Sequence, residues 1–186
     1  MVIRRRILVC AVLMVLAAGA APSAGAQDRF DEQQVKAAFL FKLAQFVEWP
    51  AAAFADAQRP IVIGVLGQDP FGKVLDDIVD GEMVAGRPLV VQRFTRVEDV
   101  MTCHILFVGA SERSSYPRIF AALKGRPILT VGDASGFAAS GGMIAFASEQ
   151  NHVVLRVNLR AARAAKLTIS SNILRASTIV TGGASE

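Results

Sequence analysis

Residues 61–72 read IVIGVLGQDPFG. Ile61, Val62, Ile63 and Val65 make an apolar, β-branched run without polar alternation. A strand of that composition is buried on both faces, as in the interior of a parallel sheet. Gly67, Gln68, Asp69 and Pro70 end it with breaker residues. FGKVLDDIV follows, with Phe71, Val74, Leu75, Ile78 and Val79 at helical spacing. Strand, tight turn and helix are the opening half of a βαβ unit, and ligands of open α/β sheets collect at the carboxyl ends of such strands.

The pattern repeats downstream. LVVQRF (89–94), CHILFV (103–108) and ILTV (128–131) are further strand candidates, and the last ends at Gly132-Asp133. Residues 97–101 suit a short helical turn. Ser111 is placed to cap a helix holding Ile119, Phe120 and Leu123, with Tyr116-Pro117 in its first turn. MIAFAS and HVVLRVNL, joined through Glu149-Gln150-Asn151, then read as a hairpin. In its second strand Val153, Leu155, Val157 and Leu159 alternate with Val154, Arg156 and Asn158, so the latter face is expected to be wet. AARAAK reads as a short helix and Leu167–Ile169 as extended chain. Ser170 or Ser171 caps a last helix expected to hold Ile173, Leu174, Ser177 and Ile179.

Upstream, Asp31 and Gln34 fit a capping box, and Phe30 and Val35 a hydrophobic staple. The helix they open runs through VKAAFLFKLAQFVEW to Pro50. Its expected apolar face is Val35, Phe39, Leu43, Phe46 and Val47, widened by Phe41 and Trp49. The sum is an α/β fold: a mainly parallel, twisted sheet flanked by helices, with a C-terminal antiparallel hairpin.

The first residues stand outside that fold. Arg4, Arg5 and Arg6 precede an apolar run from Ile7 to Ala21, and Ala24-Gly25-Ala26 is an A-x-A cleavage signature. Residues 1–26 read as a secretory signal peptide, leaving residues 27–186 as one domain. The whole chain carries 20 Lys and Arg against 16 Asp and Glu. Three of the arginines and none of the acids lie in the leader, so the remainder is close to neutral and offers bulk electrostatics no reason to bind nucleic acid. Beyond the leader Cys103 is the single cysteine, so no internal disulfide is available to the exported chain. Cys103 opens an apolar run and reads as a buried small hydrophobe.

Enzymatic signals are poor. His104 and His152 are the two histidines, and neither has a partner at metal-ligand spacing. No G-x-S-x-G elbow and no phosphate-binding G-x-x-x-x-G-K-[ST] occurs. Neither a cofactor nor a metal is expected. Asp69, Ser111, Glu112 and Asp133 sit at strand ends and form a candidate ligand rim, although Asp and Ser are common in turns because they bond their own backbone. Arg156, Arg160, Arg163 and Arg175 are candidates for a cationic patch that meets a carboxylate-bearing partner.

VKAAFLFKLAQFVEWP, IVIGVLGQDPFG, GRPLVVQRF, CHILFVGASE, GRPILTVGD and GGMIAFASEQNHVVLRVNLRAARAAKLTISSNILRAS occur in that order. As an ordered set covering nearly all of residues 35–180, they resemble the YfiR family of exported proteins. The resemblance implies a non-catalytic periplasmic α/β domain, often a homodimer. It would restrain an inner-membrane diguanylate cyclase by touching the periplasmic part of that enzyme. An outer-membrane lipoprotein would sequester the repressor, and cyclic-di-GMP signalling and biofilm formation would lie downstream. Partner contact is expected around Phe41, Glu48 and Trp49, and around Arg156, Arg160 and Arg175. A periplasmic module binding a nucleotide or amino acid at the strand-end rim is the alternative. Cys103 matches one cysteine of a family disulfide whose second cysteine is absent here. Lys166 stands where the family commonly ends a helix with Gly, an αL position that costs a non-Gly residue about 1 kcal/mol.

Overall fold

A computed structural model describes residues 24–180 apart from 55, 57 and 151, with the backbone alone described over 24–31. The expected leader therefore lies outside the described residues except at residues 24–26, and the terminal segment 181–186 lies outside them as well.

Helix α1 spans Ala24–Phe46 and leads directly into β1, Val47–Glu48. The helical backbone begins well upstream of Asp31, so Asp31 is not its N-cap. Nothing between Gly25 and Pro50 breaks a helix, and Ala, Gln and Arg sustain one. The buried face also differs from expectation. Ala37, Leu40, Leu43 and Ala44 are 0–2% exposed, whereas Val35 is 43% exposed. Val47 is buried as part of β1, not as a further helical position. Phe39, Phe41 and Phe46 pack at the margin of this core.

β2 (Ile61–Leu66) is buried at every position, as its composition requires. α2 spans Lys73–Val79 and buries Leu75 and Val79. A hairpin absent from the sequence reading follows: β3 (Met83–Val84) pairs antiparallel with β4 (Arg87–Phe94). Its two-residue loop, Ala85-Gly86, has positive φ at both positions (51° and 76°). That is the turn whose twist suits two-residue hairpins, but Ala gives it no Asn or Asp signature. β5 is Ile105–Val108.

A 3-10 turn, Ala110–Ser115, then feeds α3, Tyr116–Leu123. Ser111 lies inside that turn and caps no helix; Ser115 is at the N-cap position. β6 (Leu129–Gly132), β7 (Ile144–Glu149) and β8 (His152–Val157) follow, the last two forming the expected hairpin. Asn158 is 3% exposed, contrary to a wet position. It caps α4 (Leu159–Ala164) by accepting from the Ala161 N–H at 3.0 Å, and it donates to the Ala138 carbonyl at 3.0 Å. β9 is Thr168–Ile169 and α5 is Ser171–Arg175, capped by Ser170. Ser177 and Ile179 leave the helix and form β10, Ser177–Ile179, because β8 has an open edge to which they pair.

Eight strands make one sheet in the order β10-β8-β7-β6-β5-β2-β4-β3. The block β4-β2-β5-β6-β7 is parallel throughout. β1 and β9 pair apart from it as a two-stranded antiparallel ribbon. Strand alternation feeds two cores. Ile61, Ile63, Val65, Ile105 and Phe107 join α1, α2 and α4 on one face. Val62, Leu66, Leu106 and Val108 meet Tyr116, Ile119 and Phe137 on the other.

Candidate functional site

The carboxyl ends of β2 and β5 bring three of the four rim residues together. Asp69 Oδ1 accepts from the N–H groups of Phe71 (2.8 Å) and Gly72 (3.2 Å), which closes the turn after β2. Asp69 Oδ2 accepts from Arg93 Nε at 2.7 Å, and the same guanidinium clamps Asp76 at 2.6 Å. Hydrogen bonds to Asp76 and Asp69 raise the Arg93 pKa, and the Arg93 contact holds the Asp76 carboxyl below the usual carboxylate range. Ser111 Oγ accepts from the Gln68 N–H at 3.0 Å and donates to Glu112 at 3.3 Å. The two loops approach so closely that a Cβ on Gly67, whose φ is +83°, would stand 2.6 Å from Ser111 Oγ. Asp69 and Ser111 are thus engaged in stitching one turn to the next, and no imidazole lies beside the Ser111 hydroxyl to activate it.

Asp133 follows a different geometry. It receives Lys36 Nζ from α1 at 3.0 Å, and Lys36 also pairs with Glu32 at 2.7 Å. Lys36 is 5% exposed. Burial pulls its ammonium pKa down, but the hydrogen bonds and charges of Glu32 and Asp133 together outweigh that and leave it raised. Nearby Tyr116 is buried, its hydroxyl has no hydrogen-bond partner, and burial followed by the Asp133 charge pushes its pKa up.

At the opposite end of the sheet His104 precedes β5. Its Nδ1 accepts from the Val62 N–H at 3.1 Å, so the proton of the neutral ring sits on Nε2. The ring stacks on Phe54 at 4.6 Å, meets Trp49 edge-on at 6.2 Å, and its carbonyl accepts from Trp49 Nε1 at 3.2 Å. Burial lowers the His104 pKa; the Ala53 backbone works against that shift without reaching hydrogen-bond geometry, and the Arg87 charge adds to it. Cys103 is buried with its Sγ donating to the Ile105 carbonyl, and burial pushes its thiol up to about 12. A thiol so protonated is a poor nucleophile. His152 is exposed at the start of β8. Among the described residues no group of His, Cys, Asp and Glu is arranged to hold a metal ion.

A cavity of about 410 Å³ opens at this amino end, between Val62, Cys103, His104 and Ile128, with Arg59 and Arg126 at its edge. The strand-end rule points to the other rim; the cue in the sequence for this end is Thr102-Cys103-His104, which precedes β5, beside Arg126-Pro127.

The surface residues divide between the two faces. Glu48 is exposed on β1, opposite Thr168 of β9. Arg160 is the second residue of α4 and Arg175 ends α5; both helices bury residues in the core shared with α1. Phe41 and Trp49 are half-buried against that core. Arg156 points the other way. It pairs in register with Ala145, a residue of the second core, and its guanidinium meets Glu149 at 2.9 Å. A single patch of Arg156, Arg160 and Arg175 is therefore not formed.

No helix among the described residues is long and apolar enough to cross a membrane. No curated protein matches the chain. The profile of a family described as YfiR/HmsC-like matches residues 33–178. Among solved structures, the ABC domain in complex with L-Trp from Streptococcus pneumonia is similar at 11% identity with a TM-score of 0.49. The likeness covers 64% of this chain and little over half, 55%, of that one, too distant to speak to function.

Proposed function

This chain belongs to the YfiR/HmsC-like family, and from that premise we propose that it is a periplasmic regulator that restrains an inner-membrane diguanylate cyclase by protein–protein contact. The family match over residues 33–178 carries the reading. The chemistry of the described residues agrees with it. Asp69 and Ser111 are engaged in closing their loops, Asp133 is paired with Lys36 of α1, and the Cys103 thiol is held protonated.

The mechanism is a shift of population: docking on one arrangement of the cyclase's periplasmic part keeps its catalytic part idle. Such a regulator must bind that arrangement more tightly than the active one, since equal affinity moves nothing. The docking surface is the α1 side of the molecule, around Phe41, Glu48, Trp49, Arg160 and Arg175. An outer-membrane lipoprotein that sequesters the regulator would relieve the restraint, and a homodimer is the expected resting assembly. Deleting the gene should raise cellular cyclic-di-GMP, and supplying the protein with its leader should lower it again. Supplying residues 27–186 without the leader should not. Unchanged cyclic-di-GMP on deletion, or rescue by the leaderless chain, would remove the proposal.

A further inference from the structure

The cavity at the amino ends of β2, β5 and β6 has a chemistry that the proposed regulatory contact does not use. About 410 Å³ lies within the range of small-molecule sites, toward its lower end. Val62, Ile128, Pro60, Pro127 and Phe54 form the apolar part of its lining. Arg59 and Arg126 are among its lining residues, and no Asp or Glu is. Arg126 is fixed there, because one of its amino groups donates to the carbonyls of Val100 and Met101. Its other N–H donors remain for a guest, since a guanidinium carries five. The Arg59 guanidinium pairs with the exposed Asp56 at 3.4 Å.

His104, a lining residue, is 5% exposed, and its Nε2 is buried without a hydrogen-bond partner. Met101, at 75% exposure, leaves a large apolar side chain in the same lining open to solvent.

We propose that this cavity is a binding site for a small organic anion: an apolar body seated against Val62, Phe54 and Ile128, with a carboxylate held by Arg126 and Arg59. The two arginines favour an anion over neutral and cationic guests, and the apolar residues favour an organic anion over an inorganic one. The site is separate from the strand-end rim and stands whether or not the protein restrains a cyclase. If both hold, the guest lies against His104, whose carbonyl accepts from Trp49 Nε1 of the proposed docking surface.

The test uses the protein purified as cells produce it, titrated with phenylacetate, its neutral counterpart phenylacetamide, and inorganic phosphate, followed by amide NMR. Phenylacetate should shift the signals of Val62, Thr102 and His104 in a saturable way. Phenylacetamide should bind at least tenfold more weakly, and phosphate should leave those signals in place. Arg59→Gln, at a solvent-exposed side chain, should weaken phenylacetate at least threefold without altering the melting temperature. Arg126→Gln should weaken it at least tenfold. The proposal is overturned if phenylacetate leaves those signals unmoved, if the amide or phosphate matches it, or if the Arg59→Gln protein binds as well as the parent.

Discussion

A Cβ built on Gly64 would stand 2.8 Å from Cys103 Sγ and 2.9 Å from both Leu106 Cδ1 and Phe94 Cε2. Gly64 is thus the position in β2 where the neighbouring strands close over the backbone. Gly64→Ala should destabilise the protein by about 1–3 kcal/mol through overpacking, measured as a lower denaturant midpoint at unchanged slope. The glycine was plain in the sequence, but its crowding was not, because the atoms that meet it come from β4 and from the start of β5. His104 makes a second residue-scale prediction. Burial holds its pKa below the ordinary 6.5, so as pH falls the unfolded chain protonates first. The stability that the neutral ring provides is present above about pH 6.5 and is lost as acid passes toward the folded pKa. His104→Asn removes the titration while leaving an acceptor for the Val62 N–H. The stability gap between parent and variant should therefore narrow from pH 7.5 to pH 5; a constant gap would show that His104 titrates alike in both states.

At the scale of elements, the long buried β strands and the core face of α3 are legible in the sequence and the buried face of α1 is not. Continuous apolar runs identify β2, β5 and β6 because burial on both faces leaves no other composition. In α1 nearly every residue from Val35 to Val47 is small or apolar, so several faces compete on periodicity alone, and only contact with α2 and the sheet selects Ala37, Leu40, Leu43 and Ala44. Leu40→Ala should cost about 2–5 kcal/mol, and Val35→Ala, at an exposed site, no more than about 0.5 kcal/mol; similar costs would mean that α1 is turned differently. The end of α4 was legible in a different way. Leu167 N–H bonds the Ala162 carbonyl at 3.0 Å and Lys166 N–H the Arg163 carbonyl at 2.9 Å, with Lys166 at φ +60°. That is the Schellman arrangement with lysine in the left-handed position usually given to glycine. Lys166→Gly should raise stability by up to about 1 kcal/mol, the relief of strain exceeding the added freedom of the unfolded chain. A fall in melting temperature would refute it. β1, β3 and β10 are not legible because each is only two or three residues long and is defined by its pairing partner.

For the whole molecule, the sheet separates two surfaces that the sequence could not tell apart. Alternation along β8 places Leu155 and Val157 in the core under α1, which sends Arg156 to the other side. Arg160 and Arg175 instead ride on helices packed over the first core, next to the ribbon that carries Glu48. If partner contact uses the α1 side, reversing charge there must act on binding without acting on folding. Arg160→Glu combined with Arg175→Glu should reduce binding to the cyclase's periplasmic part at least tenfold and raise cyclic-di-GMP, with stability changed by no more than about 0.5 kcal/mol per site. Arg156→Glu breaks only an exposed pair with Glu149, worth at most about 1 kcal/mol, and should leave binding as it was. The comparison is informative because both variants add the same kind of charge at exposed sites and differ chiefly in the face that receives it. Loss of binding in Arg156→Glu with retention in the double variant would move the docking surface to the α3 side of the sheet.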